Sequence, residues 1–145
     1  MHARGRMSDM RGFSDAPDDA YQDGVADVRR ELGAARDRAI AAGLAPSDVV
    51  VDPGIGFMKN ALQSLELIRR LGDLGSLGAP ILVGPSRKSF IAKIAGDAPP
   101  ADRLGGTIAA CLACADAGAA VLRVHDGFPV GQALSLHRAL RGGHA

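Results

Sequence analysis

Tryptophan is missing from the 145 residues, aromatic side chains make up only 3%, and there are only two cysteines. Without large rings, a core has to be built from aliphatic side chains, Ala and Gly. Two cysteines do not make a disulfide framework. An excess of either charge is also lacking: 17 Lys and Arg against 16 Asp and Glu leave a net +1. That balance excludes the basic footprint of a nucleic-acid binder or of a protein held on an anionic membrane. No apolar run reaches the roughly 18 residues of a membrane span. The basic stretch from Met1 to Gly12 has no apolar run behind it, so it does not read as a secretory signal. What is abundant is apolar side chain, 47%, and glycine, 19 residues. Length and composition describe a cytoplasmic α/β domain of ordinary size, or part of a larger one.

Breakers and periodicity divide the chain. Residues 1 to about 16 show no period and read as a mobile loop. A helical stretch opens at Asp18-Asp19, with Val25, Val28, Leu32, Ala35, Ala39 and Ile40 on one face, and stops at Gly43 and Pro46. Asp48 to Asp52 reads as a short buried strand. Pro53-Gly54-Ile55-Gly56 is too rich in breakers for regular structure. Asn60 caps a second helix with Leu62, Leu65, Ile68, Leu71 and Leu74 as its stripe. Ile81 to Gly84 forms a second strand, followed by a short helix from about Ser89 to Ala95. A longer Ala-rich helix is expected from about Asp102 to Ala117, a third strand over Ala119 to Val124, and a last helix over Pro129 to Leu140. Strands alternating with helices in this way predict a parallel sheet.

The polar residues cluster where parallel α/β proteins bind ligands, at the carboxyl ends of the strands. The first strand ends in Asp52, the second leads into Ser86, Arg87 and Lys88, and the third carries Arg123, His125 and Asp126. A carboxylate such as Asp52 can accept two N–H groups of a heterocycle, or cap the next helix. Gly54 and Gly56 favour close approach of backbone to a ligand. Arg87 and Lys88 are adjacent, so one faces the site and the other turns away. Ser86 either binds an anion or caps a helix. Arg123 and His125 lie two apart on one strand and share a face. Together they suit an anion such as phosphate, with an ion pair to Asp116 or Asp126 as the structural alternative. Phe57, on the Gly-rich loop, can stack on an aromatic ligand. Cys111 and Cys114, three apart in a helix, read as packing rather than as half a zinc site. His137 and His144 have no partners at ligand spacing.

Read as strings, Asp52-Pro53-Gly54-Ile55-Gly56-Phe57, Ser86-Arg87-Lys88-Ser89 and Arg123-Val124-His125-Asp126 resemble the dihydropteroate synthase family. Met1-His2-Ala3-Arg4-Gly5 and Asp102-Arg103-Leu104-Gly105-Gly106-Thr107 resemble two further segments of it. The family's fold is a (β/α)8 TIM barrel, and the resemblance implies that residues 1–145 are its carboxy-terminal part, with strands six to eight. It also implies the reaction: 6-hydroxymethyl-7,8-dihydropterin diphosphate joins 4-aminobenzoate and pyrophosphate leaves. Asp52 would take the pterin ring, and Lys88 would reach both the pterin and the 4-aminobenzoate. Ser86 and Phe57 would line the second site, and Arg123 and His125 would hold the diphosphate. Mg²⁺ is the implied cofactor. The implied partners are small-molecule substrates, with a homodimer or the missing amino-terminal half of the barrel as the protein partner. Two positions depart from the family's strings: Met58 stands where Gly is usual, and Pro85 precedes Ser86. A methyltetrahydrofolate-binding methyltransferase shares the pterin barrel, but it needs no diphosphate site. A non-catalytic barrel remnant acting as an interaction module is the alternative outside enzymes.

Overall fold

The structure is a computed structural model, and the residues it describes are 1–4 and 16–142. Three parallel segments lie side by side in chain order. β1 (Leu82–Val83) pairs with β2 (Val121–Leu122) in the register 82 with 121 and 83 with 122. Val51 adds one parallel bridge to Ile81, the Leu82 N–H donating to the Val51 carbonyl at 2.8 Å. The ladders are thus shorter than the five- and six-residue strands expected from the sequence. At the first segment the reason is local. Pro46 starts a 3-10 turn, Pro46–Asp48, and the Val49 N–H returns to the Pro46 carbonyl. Val50 is left 47% exposed at the sheet edge.

The helices follow the apolar spacing, with displaced starts. α1 (Gly24–Ala41) begins at Asp23, whose carboxylate accepts the N–H groups of Val25 and Ala26 at 3.1 Å each. Asp18–Ala20 forms a separate 3-10 turn instead of opening the helix. Val25, Val28 and Leu32 are buried, whereas Ala35 is exposed. α2 (Ala61–Arg69) carries a reciprocal cap: Gln63 N–H donates to the Asn60 side chain, and the Asn60 N–H to the Gln63 side chain, both at 2.9 Å. Its buried face is Ala61, Ser64, Leu67 and Ile68. Leu62 of the expected stripe points outward. Beyond Arg70 the chain tightens into a 3-10 run, Leu71–Leu77. Three residues per turn stack Leu71, Leu74 and Leu77 on one buried face.

α3 (Ser89–Ala95) and α4 (Leu104–Asp116) touch through Gly106, where a Cβ would come within 2.3 Å of Ile91 Cγ2. α4 buries Thr107, Cys111 and Cys114, so the two thiols are packing residues. Burial pushes them up to about 11 and about 12. α5 (Gly127–Leu140) buries only Val130 and leaves Phe128, Leu136 and Leu140 exposed. Among the described residues no helix is long and apolar enough to cross a membrane. Met1 to Arg4 do not form a mobile loop: the His2 N–H donates to the Asp52 carbonyl at 2.8 Å, and the His2 side chain is buried. The rest of that expected loop, residues 5–15, and the tail at 143–145 lie outside the described residues.

Candidate functional site

The first wall of the site is the loop after Val51. Asp52 accepts the Gly54 N–H on Oδ1 at 2.7 Å, which turns the chain sharply. Gly54 has φ +70°, and a Cβ there would lie 1.9 Å from the His2 carbonyl oxygen, so only glycine fits. The Phe57 N–H closes the turn on the Gly54 carbonyl at 3.0 Å. Met58 follows at φ +49°, a conformation that favours glycine. Behind the turn lies Lys59, which is 1% exposed. Its Nζ donates to the carbonyls of Gly54 at 3.2 Å and Phe57 at 3.0 Å, and meets His2 Nδ1 at 3.0 Å. Burial brings this lysine down to about 7. His2 Nε2 reaches Glu31 at 2.8 Å, and Arg4 pairs with Glu31 and Asp27. The Arg4 and His2 hydrogen bonds hold Glu31 down at about 2. The sequence reading assigned no role to Lys59, His2 or Glu31. The available signal was one lysine among breakers, immediately ahead of the Asn60 cap.

The second segment links both sides. Arg87 takes φ +58°, so it and Lys88 point apart, as adjacency required. Lys88 Nζ lies 4.3 Å above the centre of the Phe57 ring and donates to the Ile55 carbonyl. Burial lowers it to about 8, against the attraction of Asp52 and with the repulsion of Arg123. Asp52, Phe57, Lys88 and Arg123 therefore share one neighbourhood. Arg87 turns the other way and grips both oxygens of Asp126, at 3.0 and 2.6 Å. That pairing holds the Asp126 carboxyl below the usual range.

The third segment continues the β1–β2 register past the ladder. Arg123 lies over Gly84, where a Cβ would come within 3.1 Å of its Nη2. His125 lies beside Ser86. The backbone N–H of His125 donates to Ser86 Oγ at 3.2 Å, and Oγ lies 2.9 Å from His125 Nδ1. The Ser86 hydroxyl accepts the backbone N–H and is placed to donate its own proton to Nδ1. A neutral His125 ring then carries its proton on Nε2, as a donor. Ser86 is thus buried and committed to His125 rather than standing open as a lining residue. Neither alternative ion pair forms for the exposed Arg123–His125 pair: Asp126 belongs to Arg87, and Asp116 to His137 and Arg141. Among the described residues Arg123 has no carboxylate partner. Nor do three His, Cys, Asp or Glu side chains come together there. With both Asp126 oxygens occupied, the described residues do not fit a resident Mg²⁺.

Comparison with known proteins gives the family and the fold. Residues 1–125 match the family model described as "Pterin binding enzyme". A dihydropteroate synthase of Synechocystis is 43% identical over 126 residues, covering 87% of this chain and 42% of that protein. Among solved structures, the dihydropteroate synthase of Xanthomonas albilineans with 4-aminobenzoic acid superposes at a TM-score of 0.83 and 38% identity, over 87% of this chain and 47% of that one. The Thermus thermophilus enzyme in complex with 6HMPPP gives 0.79 and 43% identity, over 84% and 48%. The chain spans less than half the length of these relatives. Its three parallel segments with their helices are part of such a (β/α)8 barrel.

Proposed function

The chain belongs to the pterin-binding enzyme family, and from that premise we propose that residues 1–145 are the carboxy-terminal part of a dihydropteroate synthase barrel. The reaction joins 6-hydroxymethyl-7,8-dihydropterin diphosphate to 4-aminobenzoate. The arylamine nitrogen forms a bond to the pterin methylene carbon, the carbon–oxygen bond to the diphosphate breaks, and the nitrogen loses a proton to solvent. Asp52 accepts N–H groups of the pterin ring. Lys88, still mostly protonated at pH 7, bridges the pterin side and the ring of Phe57, where 4-aminobenzoate stacks. Arg123 and the outward Nε2–H of His125 take the departing diphosphate, whose growing charge they stabilise. Ser86 acts behind His125, by orienting it.

The observation that carries this reading is the exposed Arg123 of the third segment, without a carboxylate partner among the described residues, beside the Asp52 loop. A methyl-transfer barrel needs no such anion seat. Mg²⁺, which in this reading supports the leaving diphosphate, is not given donors by the described residues. Activity then requires the barrel segments that the relatives carry in addition. The reading places the protein in the cytoplasm, with Cys111 and Cys114 as free thiols.

Titration calorimetry of the full chain with the pterin diphosphate tests it. Binding is expected, weakened at least tenfold by Asp52→Asn and by Arg123→Ala. A folded chain that binds nothing favours the interaction-module reading. Turnover with 4-aminobenzoate is expected only when the rest of the barrel is supplied, and full turnover by the monomeric chain alone contradicts that.

A further inference from the structure

Among the described residues Lys59 has the largest fully buried side chain, and its partners explain how a lysine tolerates that place. An ammonium has three donors, and three acceptors surround it: the carbonyls of Gly54 and Phe57 and the Nδ1 of His2. His2 accepts on Nδ1 when its ring proton sits on Nε2, and Nε2 faces the Glu31 carboxylate. Burial and the nearby Lys59 charge keep His2 in this neutral form. The two carbonyls bracket the turn that carries Phe57 and follows Asp52.

We propose that Lys59 is a positioning residue: its three hydrogen bonds tie the Asp52–Phe57 loop to His2 and Glu31, and the loop opens only by breaking them. The groups facing Lys59 oppose one another: Asp52 and Glu31 favour its charge, while Lys88 and Arg4 disfavour it. The Tyr21 ring lies 5.7 Å from Nζ. Burial outweighs the attractions and sets the proton loss near neutral pH. Loop positioning stands by itself; its consequence for ligand affinity rests on the pterin reading.

Nuclear magnetic resonance on the full chain tests both parts. The Lys59 Cε resonance is expected to titrate with a midpoint near pH 7. Across that midpoint the protection factor of the Phe57 amide is expected to rise threefold or more, because an opened loop returns Lys59 to water, where it binds its proton more tightly. Lys59→Met should lower Phe57 protection at least tenfold at pH 6 and leave the α1 and α4 amides of Val28 and Cys111 within twofold. His2→Ala, which removes one acceptor, should move the Lys59 midpoint lower. A Lys59 midpoint above pH 10, or unchanged Phe57 protection in Lys59→Met, overturns the proposal. Should Lys59→Met fail to fold, the wild-type titration decides alone. Pterin diphosphate affinity of wild type and His2→Ala, measured alongside, separates the two parts. A titrating loop on a chain that binds no pterin diphosphate keeps the positioning role and sinks the pterin reading.

Discussion

The loop from Asp52 to Lys59 and the tip from Arg123 to Asp126 lie to either side of Lys88 but are held in different ways. The loop is closed by backbone bonds, by a glycine pressed on the His2 carbonyl and by a sealed lysine. The tip extends the β2 register into solvent: Arg123 and His125 are exposed, and one buried hydroxyl orients the imidazole. A side that reads the shape of a heterocycle gains from rigidity, because a displaced acceptor loses both of its hydrogen bonds. In the proposed reading the other side takes a diphosphate and needs charge more than fit, and Arg123, without a carboxylate partner among the described residues, supplies it.

Changes in the loop should therefore cost folding stability, whereas changes at the tip should cost anion binding. The largest stability effect is expected at Gly54→Ala, where a Cβ meets the His2 carbonyl at φ +70°. About 3 kcal/mol should be lost in urea denaturation, a large value for a single methyl. Arg123→Ala should leave the denaturation midpoint nearly unchanged and weaken pyrophosphate binding at least tenfold by calorimetry, the loss of one charge-assisted contact. An Arg123→Ala variant that unfolds would abolish the contrast.

Stability should also depend on pH through the loop. Unfolded, Lys59 holds its proton to about its ordinary 10.5; folded, it releases it near 7. Between those values the unfolded chain binds more protons, so stability rises with pH, by about 1.4 kcal/mol per pH unit for one group. Lys88 adds to the rise above about 8, while the buried thiols oppose it above about 9. In Lys59→Met the slope between pH 7 and 8 should fall to near zero, as read from urea midpoints at fixed ionic strength. Smaller effects follow at the edges. Ser86→Ala should weaken pyrophosphate binding a few-fold by freeing the His125 ring. Met58→Gly should stabilise the chain by about 0.5–1 kcal/mol in the same denaturation assay, relieving a left-handed residue.

Much of this was legible in the residues. Periodicity located α1 and α2, because apolar spacing and the caps at Asn60 and Gly43 are local signals. It misplaced the Leu62 stripe because the period changes from 3.6 to 3 at Arg70, which no single window shows. Strand lengths were overestimated because hydrophobic runs announce burial, whereas pairing depends on neighbours that the sequence does not display. The strand-end residues Asp52, Lys88, Arg123 and His125 were legible as a group because a parallel sheet puts its carboxyl ends together. Ser86 was legible as a strand-end residue, but its commitment to His125 was not, since it depends on the cross-strand register. Lys59 was invisible for a related reason. Its partners, His2 and Glu31, lie 57 and 28 positions away, and nothing local marks a lysine as buried.

The central claim is that the loop and the tip bind two ends of one molecule. Comparing Asp52→Asn and Arg123→Ala, each titrated with the pterin diphosphate and with inorganic pyrophosphate, tests it most directly. Asp52→Asn should weaken the pterin compound at least tenfold and leave pyrophosphate unchanged, and Arg123→Ala should weaken both. Equal losses for the two ligands in Asp52→Asn, or none in Arg123→Ala, would contradict the account.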